Sequence, residues 1–256
     1  MFQFSKAKSW TPGKRAQLKP KGNQAGGVNQ QKHFCANKAM PKDSLDYHRL
    51  EFSIATNPDD RRRILPDVSA RHSRLLDVGC GAGQTLIASN LSEAVFAVGV
   101  DLDHSAVVYG RQQTTNIHFV RSNGEALPFA DNSFDLVICR VALPYMHIGR
   151  AVREMFRVLD ERGELWLVLH PLRMTVRELL GSLRQPNPKA TLYRLWVLGN
   201  GLSLHLFGKQ WRWPLHPKRY ESWQTAARTK RILLLVGFEN VTVNRGSHFV
   251  VTAHKR

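Results

Sequence analysis

The nine residues Leu75-Leu76-Asp77-Val78-Gly79-Cys80-Gly81-Ala82-Gly83 constrain this chain more than any other stretch. An apolar run interrupted by one carboxylate gives way to glycines at alternate positions. That is the pattern of a strand ending in a tight turn that opens a helix, here from about Gln84 to Asn90. Glycine is needed where the backbone takes positive φ or where a ligand meets the main chain. The helix start aims unpaired N–H groups at the turn, and these favour a carboxylate or phosphate. The stretch therefore predicts a nucleotide-like ligand. The dinucleotide fingerprint Gly-x-Gly-x-x-Gly is not met, because Gln84 and Leu86 stand where its third glycine would fall.

These nine residues resemble the first motif of the class I S-adenosylmethionine (SAM)-dependent methyltransferases. The resemblance implies SAM as cofactor, with Asp77, Gly79, Cys80, Gly81 and Gly83 around it. A second apolar run, Val95–Val100, reads as a parallel strand buried on both faces and ends on Asp101, 22 residues beyond Gly79. A carboxylate at that strand tip can hold the two hydroxyls of a ribose. The family assigns Asp101 this role, with Leu102 beside it. Asp103 suits the capping of the next helix.

Ile117–Val120 reads as a short third strand. After it come Ser122-Asn123-Gly124-Glu125-Ala126-Leu127-Pro128-Phe129 and then Ser133-Phe134-Asp135, the entry to a fourth strand ending near Cys139. Both stretches resemble the ubiquinone/menaquinone C-methyltransferase-like branch, the methyltransferase type 11 domain. Asn123 stands where that branch carries its adenine-binding Asp, and Gly124 and Glu125 complete the motif. An Asn carbonyl still accepts from the adenine amino group, and the Gly124 N–H can donate to the ring.

Arg140 to His147 then occupies the place where class I enzymes line the transfer site. It lacks the Asp/Asn-Pro-Pro-Tyr/Phe loop of enzymes that methylate the amino groups of bases. Arg140, Tyr145 and His147 are the candidates for orienting the acceptor or taking a proton from it. Arg140 is also placed among the SAM-binding residues.

The net charge of +17 is unevenly spread. Residues 1–42 hold nine Lys/Arg and no acid, and 171–220 hold nine against Glu178 alone, while 43–170 hold seventeen acids against thirteen bases. The basicity thus lies in a tail and an insert, which could meet nucleic acid or an anionic membrane surface. Cys35, Cys80 and Cys139 lie far apart with no metal-ligand spacing, which predicts a reduced, metal-free, cytoplasmic protein. Neither a membrane span nor a secretory signal is present in the sequence, and peripheral membrane association stays open.

Residues 1–42 are polar, with no apolar period, and should be disordered. They can be a solvated tail, the product of an early start codon, an RNA- or membrane-contacting arm, or a transit peptide. Residues 44–72 read as a helical lead-in, with a helix from Asp59-Asp60 through Leu65 ended by Pro66, and with Tyr47 placed to fold over the ligand.

From about Arg150, Val152, Met155, Phe156 and Leu159 form one apolar helical stripe. Gly163 turns the chain into a fifth strand, Glu164–His170. Residues 171–220, with a helix over 191–198 and six aromatics among nine cations, read as a cap on the acceptor pocket. Trp223–Val236 reads as a helix, followed by strands Phe238–Asn244 and His248–Ala253.

The fold class is therefore α/β: a three-layer sandwich around a seven-stranded, mostly parallel Rossmann-like sheet. The family order is 3-2-1-4-5-7-6 with strand 7 antiparallel, and residues 43–256 make one domain. The expected activity is methyl transfer from SAM to oxygen or carbon of a small-molecule or lipid-like acceptor, with no metal. An RNA or ribosomal methyltransferase and a non-catalytic SAM-binding protein are the alternatives.

Overall fold

The structure is a computed structural model that describes residues 44–184, 187–215 and 220–256. The tail expected over 1–42 lies outside them. Seven strands form one sheet: β1 (Arg74–Val78), β2 (Phe96–Asp101), β3 (Ile117–Arg121), β4 (Phe134–Arg140), β5 (Leu159–Val168), β6 (Phe238–Asn244) and β7 (Val250–Lys255). Their order is β3-β2-β1-β4-β5-β7-β6, with β1 to β5 parallel and β7 antiparallel to both its neighbours, as expected.

The central strands are buried on both faces, which is why β1, β2 and β4 are nearly continuous apolar runs. Alternate residues feed two cores. Leu76, Val78, Val98 and Val137 point to one, and Leu75, Ala97, Leu136 and Ile138 to the other. Helix α4 (Ile148–Val158) covers the first core with Ile148, Ala151, Val152, Met155 and Val158, joined by Leu233 of α7 (Ala226–Val236). On the other face, α2 (Gln84–Ala88) and α3 (His104–Gln113) contribute Leu86 and Val107. α1 (Ser44–Thr56) packs outside these two helices.

Residues 171–220 supply an antiparallel pair of helices, α5 (Leu172–Arg184) and α6 (Pro188–Phe207). The α6 start is fixed by Asn187, whose side chain accepts from the Ala190 N–H at 3.1 Å, and by Pro188 in the first turn. Buried Asn200 ties the end of the insert back to α6. Its Nδ2 donates to the Trp211 and Glu221 carbonyls at 3.1 and 2.8 Å, and its Oδ1 accepts from the Trp211 N–H at 2.7 Å. Such a satisfied buried amide holds three segments in one register.

Four local expectations change. No helix runs from Asp59 to Leu65. The Asp60 carboxylate accepts from the Arg62 N–H at 2.8 Å and pairs with the Arg62 guanidinium at 2.7 Å, which closes a turn instead of starting a helix. The α4 stripe ends at Val158; Phe156 is only half-buried and Leu159 already belongs to β5.

The third change is inside β5, which begins at Leu159 and not at Glu164. Phe134 faces Leu159 while Leu136 faces Glu164, so residues 160–163 loop out, and Arg162 takes the positive φ of 62° where Gly163 was expected to turn the chain. Fourth, Trp223 is extended and buried. Its Nε1 donates to the Leu198 carbonyl at 3.1 Å, Gln224 bridges to Pro171, and α7 starts only at Ala226, capped by Thr225.

Candidate functional site

The turn after β1 has three residues at positive φ: Gly79 (75°), Gly81 (57°) and Gly83 (75°). Gly79 shows why no side chain fits, since a Cβ there would lie 2.2 Å from the Ala142 Cβ. The N–H groups of Gly79 and Cys80 donate to the Val100 carbonyl at 2.8 and 3.0 Å, which ties the turn to β2. At the tip of β2 the Asp101 carboxylate is held from two sides. Its Oδ2 accepts from the Gly81 N–H at 2.7 Å and its Oδ1 from the Asp103 N–H at 2.8 Å. Each oxygen keeps a second lone pair for a ligand. Asp103 caps α3, accepting from the Ser105 N–H at 2.9 Å, and its Oδ2 meets His48 Nε2 at 3.3 Å.

Beside this turn lies a cavity of about 520 Å³. Six of the sequence-predicted cofactor residues line it: Gly79, Asp101, Leu102, Asn123, Gly124 and Glu125. Asn123 Oδ1 accepts from the Glu125 N–H at 3.0 Å and Glu125 Oε1 from the His147 N–H at 2.9 Å, so this wall is a chain of linked turns. Ser122, Ala142, Met146, Arg150, Arg212 and Tyr220 also line it. Ala142 and Met146 fall in the stretch after β4 that the sequence singles out. Arg212 and Tyr220 arrive from the end of the insert, and no local pattern announces that.

The remaining predicted residues, Asp77, Cys80, Gly81, Gly83 and Arg140, are not part of this cavity's lining. A Cβ on Gly81 would meet His48 Nδ1 at 2.9 Å, and one on Gly83 would meet the Phe119 ring at 2.5 Å, so protein fills the space a side chain would need at both. Cys80 is buried, and burial pushes its thiol well above the usual range. Asp77 is buried to 1% exposure with neither carboxylate oxygen bonded among the described residues, and burial, opposed by Arg140, pushes its pKa up to about 7. An unpartnered buried carboxylate is costly unless a cation arrives. SAM carries both an ammonium and a sulfonium, and the site's chemistry fits it.

Arg140, at the end of β4, donates to Thr85 Oγ1 at 3.1 Å and to Glu51 Oε2 of α1 at 2.8 Å. It lines a second cavity, of about 660 Å³. Tyr145 lines the first cavity, and its ring meets that of His170, which lines the second, edge to face at 5.5 Å. His147 caps α4, with its Nδ1 accepting from the Arg150 N–H at 3.3 Å, and its ring lies edge-on to Tyr220 at 5.4 Å. Tyr47, with Glu51 nearby, has its phenol pushed up to about 12, chiefly by burial. No group of His, Cys, Asp or Glu among the described residues could hold a metal ion.

A glycine turn tied to an acidic strand tip, on a sheet of this order, is the arrangement that the sequence resemblance implies. The type 11 family model, described as a methyltransferase domain, matches residues 76–167, which span β1 to β5. Over those residues the chain is similar to the class I SAM-dependent methyltransferases of that family.

Two relatives extend the match. The uncharacterised methyltransferase YcgJ of Bacillus subtilis is 30% identical over 162 residues, which cover 59% of this chain and 63% of that one. A demethylmenaquinone methyltransferase of Staphylococcus aureus is 28% identical over 232 residues, covering 82% and 88%. Among solved structures, a SAM-dependent methyltransferase from Thermotoga maritima superposes with a TM-score of 0.52 at 16% identity, covering 83% of this chain and 95% of that one. One from Mesorhizobium loti gives 0.50 at 18% identity, covering 80% and 100%. These two share the fold. SAM is accordingly the cofactor of this methyltransferase.

Proposed function

We propose that this methyltransferase acts on oxygen or carbon of a small-molecule or lipid-like acceptor. The observation that carries the reading is the second cavity, which adjoins the first across the Tyr145–His170 pair and has a largely apolar wall including Leu50, Ile54, Val168, Leu169 and Phe249. A molecule of drug size fits such a volume. The relative named for demethylmenaquinone supports an apolar acceptor.

SAM, when bound, supplies an electrophilic methyl group and a neutral leaving thioether. The chain's task is alignment and exclusion of water, the main sources of acceleration for such a displacement. Asp101 and the Asn123–Glu125 turn would hold the nucleoside, and Asp77 would answer the cationic part. Tyr145 and His170 would set the angle at which the acceptor faces the methyl. His170 is pushed down to about 4 by burial, so at neutral pH it is uncharged and too weak a base to deprotonate an alcohol. Its suited role is hydrogen bonding.

The insert's aromatics support a small acceptor over a stacked nucleic acid. Tyr193 stacks on Trp196 at 5.8 Å and Trp213 lies edge-on to both at 5.2 Å, so these rings spend their faces on one another. The test is incubation with methyl-labelled SAM and a cell extract sorted into lipid, small-molecule, RNA and protein fractions. Label in the organic-soluble or small-molecule fraction is the expected result, and label confined to RNA or protein refutes the reading.

A further inference from the structure

The second cavity has a charge pattern that its apolar wall does not require. Five arginines line it: Arg61, Arg62, Arg140, Arg173 and Arg177. Arg62 is bound to Asp60 and Arg140 to Glu51, so two of the five are neutralised. Arg61, Arg173 and Arg177 have no carboxylate partner among the described residues, and the only acid on the wall, Glu51, is already taken.

These cations come from separate parts of the sequence, the loop after α1 and the first turns of α5. The same cavity is lined by apolar Val141, Val168 and Leu169 at and just beyond the ends of β4 and β5, and by Phe249. All three arginines are exposed, so solvent screens their mutual repulsion, but the wall they form stays net positive and attracts an anion.

A second observation is independent of the arginines. His170 is 6% exposed, lines this cavity, and its Nε2 makes no hydrogen bond among the described residues. Its backbone is fixed on both sides by Gln224, whose Oε1 accepts from the His170 N–H at 3.2 Å and whose N–H donates to the His170 carbonyl at 2.9 Å. The backbone under the ring is thus pinned, and the ring itself packs edge to face on Tyr145 while lining the cavity with its Nε2 unmet. Buried polar groups with no partner mark places where a ligand completes the bonding.

We propose that the second cavity binds an amphipathic anion, an apolar body carrying a carboxylate, sulfonate or phosphate, and that the methyl acceptor belongs to this class. The apolar body lies against Leu50, Ile54, Val168, Leu169, Met174 and Phe249; the anionic head faces Arg61, Arg173 and Arg177; and His170 Nε2 makes the remaining polar contact. The first half of this statement concerns binding alone. The second half rests on the methyltransferase reading given above.

The test is calorimetric titration of the full chain with three probes kept below micellar concentrations: decanoate, decanol and inorganic phosphate. Decanoate is expected to bind at one site about tenfold tighter than decanol, the difference that a charge-assisted contact provides, and phosphate alone much more weakly than decanoate. In the R173A/R177A double variant, decanoate affinity falls by about tenfold while decanol and SAM each stay within about threefold; R173K/R177K keeps most of the decanoate affinity.

Neither arginine lines the cofactor cavity, so unchanged SAM affinity also reports an intact fold. Decanol binding as tightly as decanoate, phosphate binding as tightly as decanoate, or a double variant that keeps its decanoate affinity each overturns the proposal. If decanoate behaves as expected but label from SAM enters only neutral or cationic products, the acceptor half fails. A chain that binds decanoate but never SAM refutes the methyltransferase reading instead, so the two failures are told apart.

Discussion

Tyr145 and His170 meet ring edge to ring face at 5.5 Å, Tyr145 lining the cofactor cavity and His170 the arginine-lined one. An aromatic pair of this kind is worth about 0.5–1.5 kcal/mol beyond its buried area, enough to hold an orientation. Tyr145→Phe keeps the wall and Tyr145→Ala removes it. We expect the phenylalanine variant to transfer methyl groups at close to the original rate and the alanine variant to be slower by about tenfold or more, with SAM affinity in both changed by less than about threefold. Equal rates in the two variants would show that the wall does not align the reactants.

Asp77 gives the protein a pH signature. Its folded-state pKa, about 7, lies above the usual carboxylate value because burial disfavours the charge. The native state therefore holds a proton that the unfolded chain has released. Stability from this group is full below about pH 4 and is lost as pH rises through about 7. Binding of a cation has the opposite slope, since it favours the ionised form. SAM affinity should thus increase from pH 5.5 to 8 with release of a proton, read as a buffer-dependent enthalpy, and D77N should lose the dependence. A flat profile in the parent chain would separate Asp77 from the cofactor.

The insert is anchored where Gly201 of α6 lies against Trp223. A Cβ at 201 would stand 2.2 Å from Trp223 Nε1, whose hydrogen bond to Leu198 fixes the ring. Gly201→Ala should therefore lower stability by about 1–3 kcal/mol through overpacking, in spite of the better helix propensity of alanine. Chemical denaturation measures this. A stabilised variant would mean that Trp223 can move aside.

Trp211 and Trp213 belong to the insert that the sequence assigns to acceptor choice, yet neither lines either cavity. Trp211 is 59% exposed, with its Nε1 donating to Ser203 Oγ at 2.8 Å, and Trp213 packs against Tyr193 and Trp196. The double alanine variant should melt at lower temperature while its SAM affinity and methyl transfer change by less than about threefold. Loss of transfer at full stability would return the tryptophans to the acceptor site.

The parts of this molecule that the sequence makes legible are those fixed by local pattern. The glycine turn, the apolar runs of β1, β2 and β4, and Asp101 at a strand tip each carry their signal within a few residues, and together they specify the sheet order. Where local rules compete, sequence reasoning loses. Asp60 could start a helix or close a turn on Arg62, and the bidentate arginine decides. Trp223 continues an apolar helical period, but its Nε1 bond to the Leu198 carbonyl and the Gln224–Pro171 bridge hold this stretch out of α7. The second cavity is invisible in sequence for a different reason. Arg61, Arg173, His170 and Phe249 have no spacing in common and meet only because the sheet brings α1, α5 and the β6–β7 connection to one end.

The most direct measurement is calorimetric titration of SAM into the parent chain and into Asp101→Ala and Asp101→Asn variants that melt like the parent. The Asp101 carboxylate faces the cavity and is held by the Gly81 and Asp103 N–H groups. We expect one SAM site in the parent, affinity weaker by about 1.5–3 kcal/mol in Asp101→Ala, and a smaller loss in Asp101→Asn, which keeps one acceptor oxygen. A folded Asp101→Ala protein that binds SAM as tightly as the parent would contradict the assignment of this cavity to the cofactor.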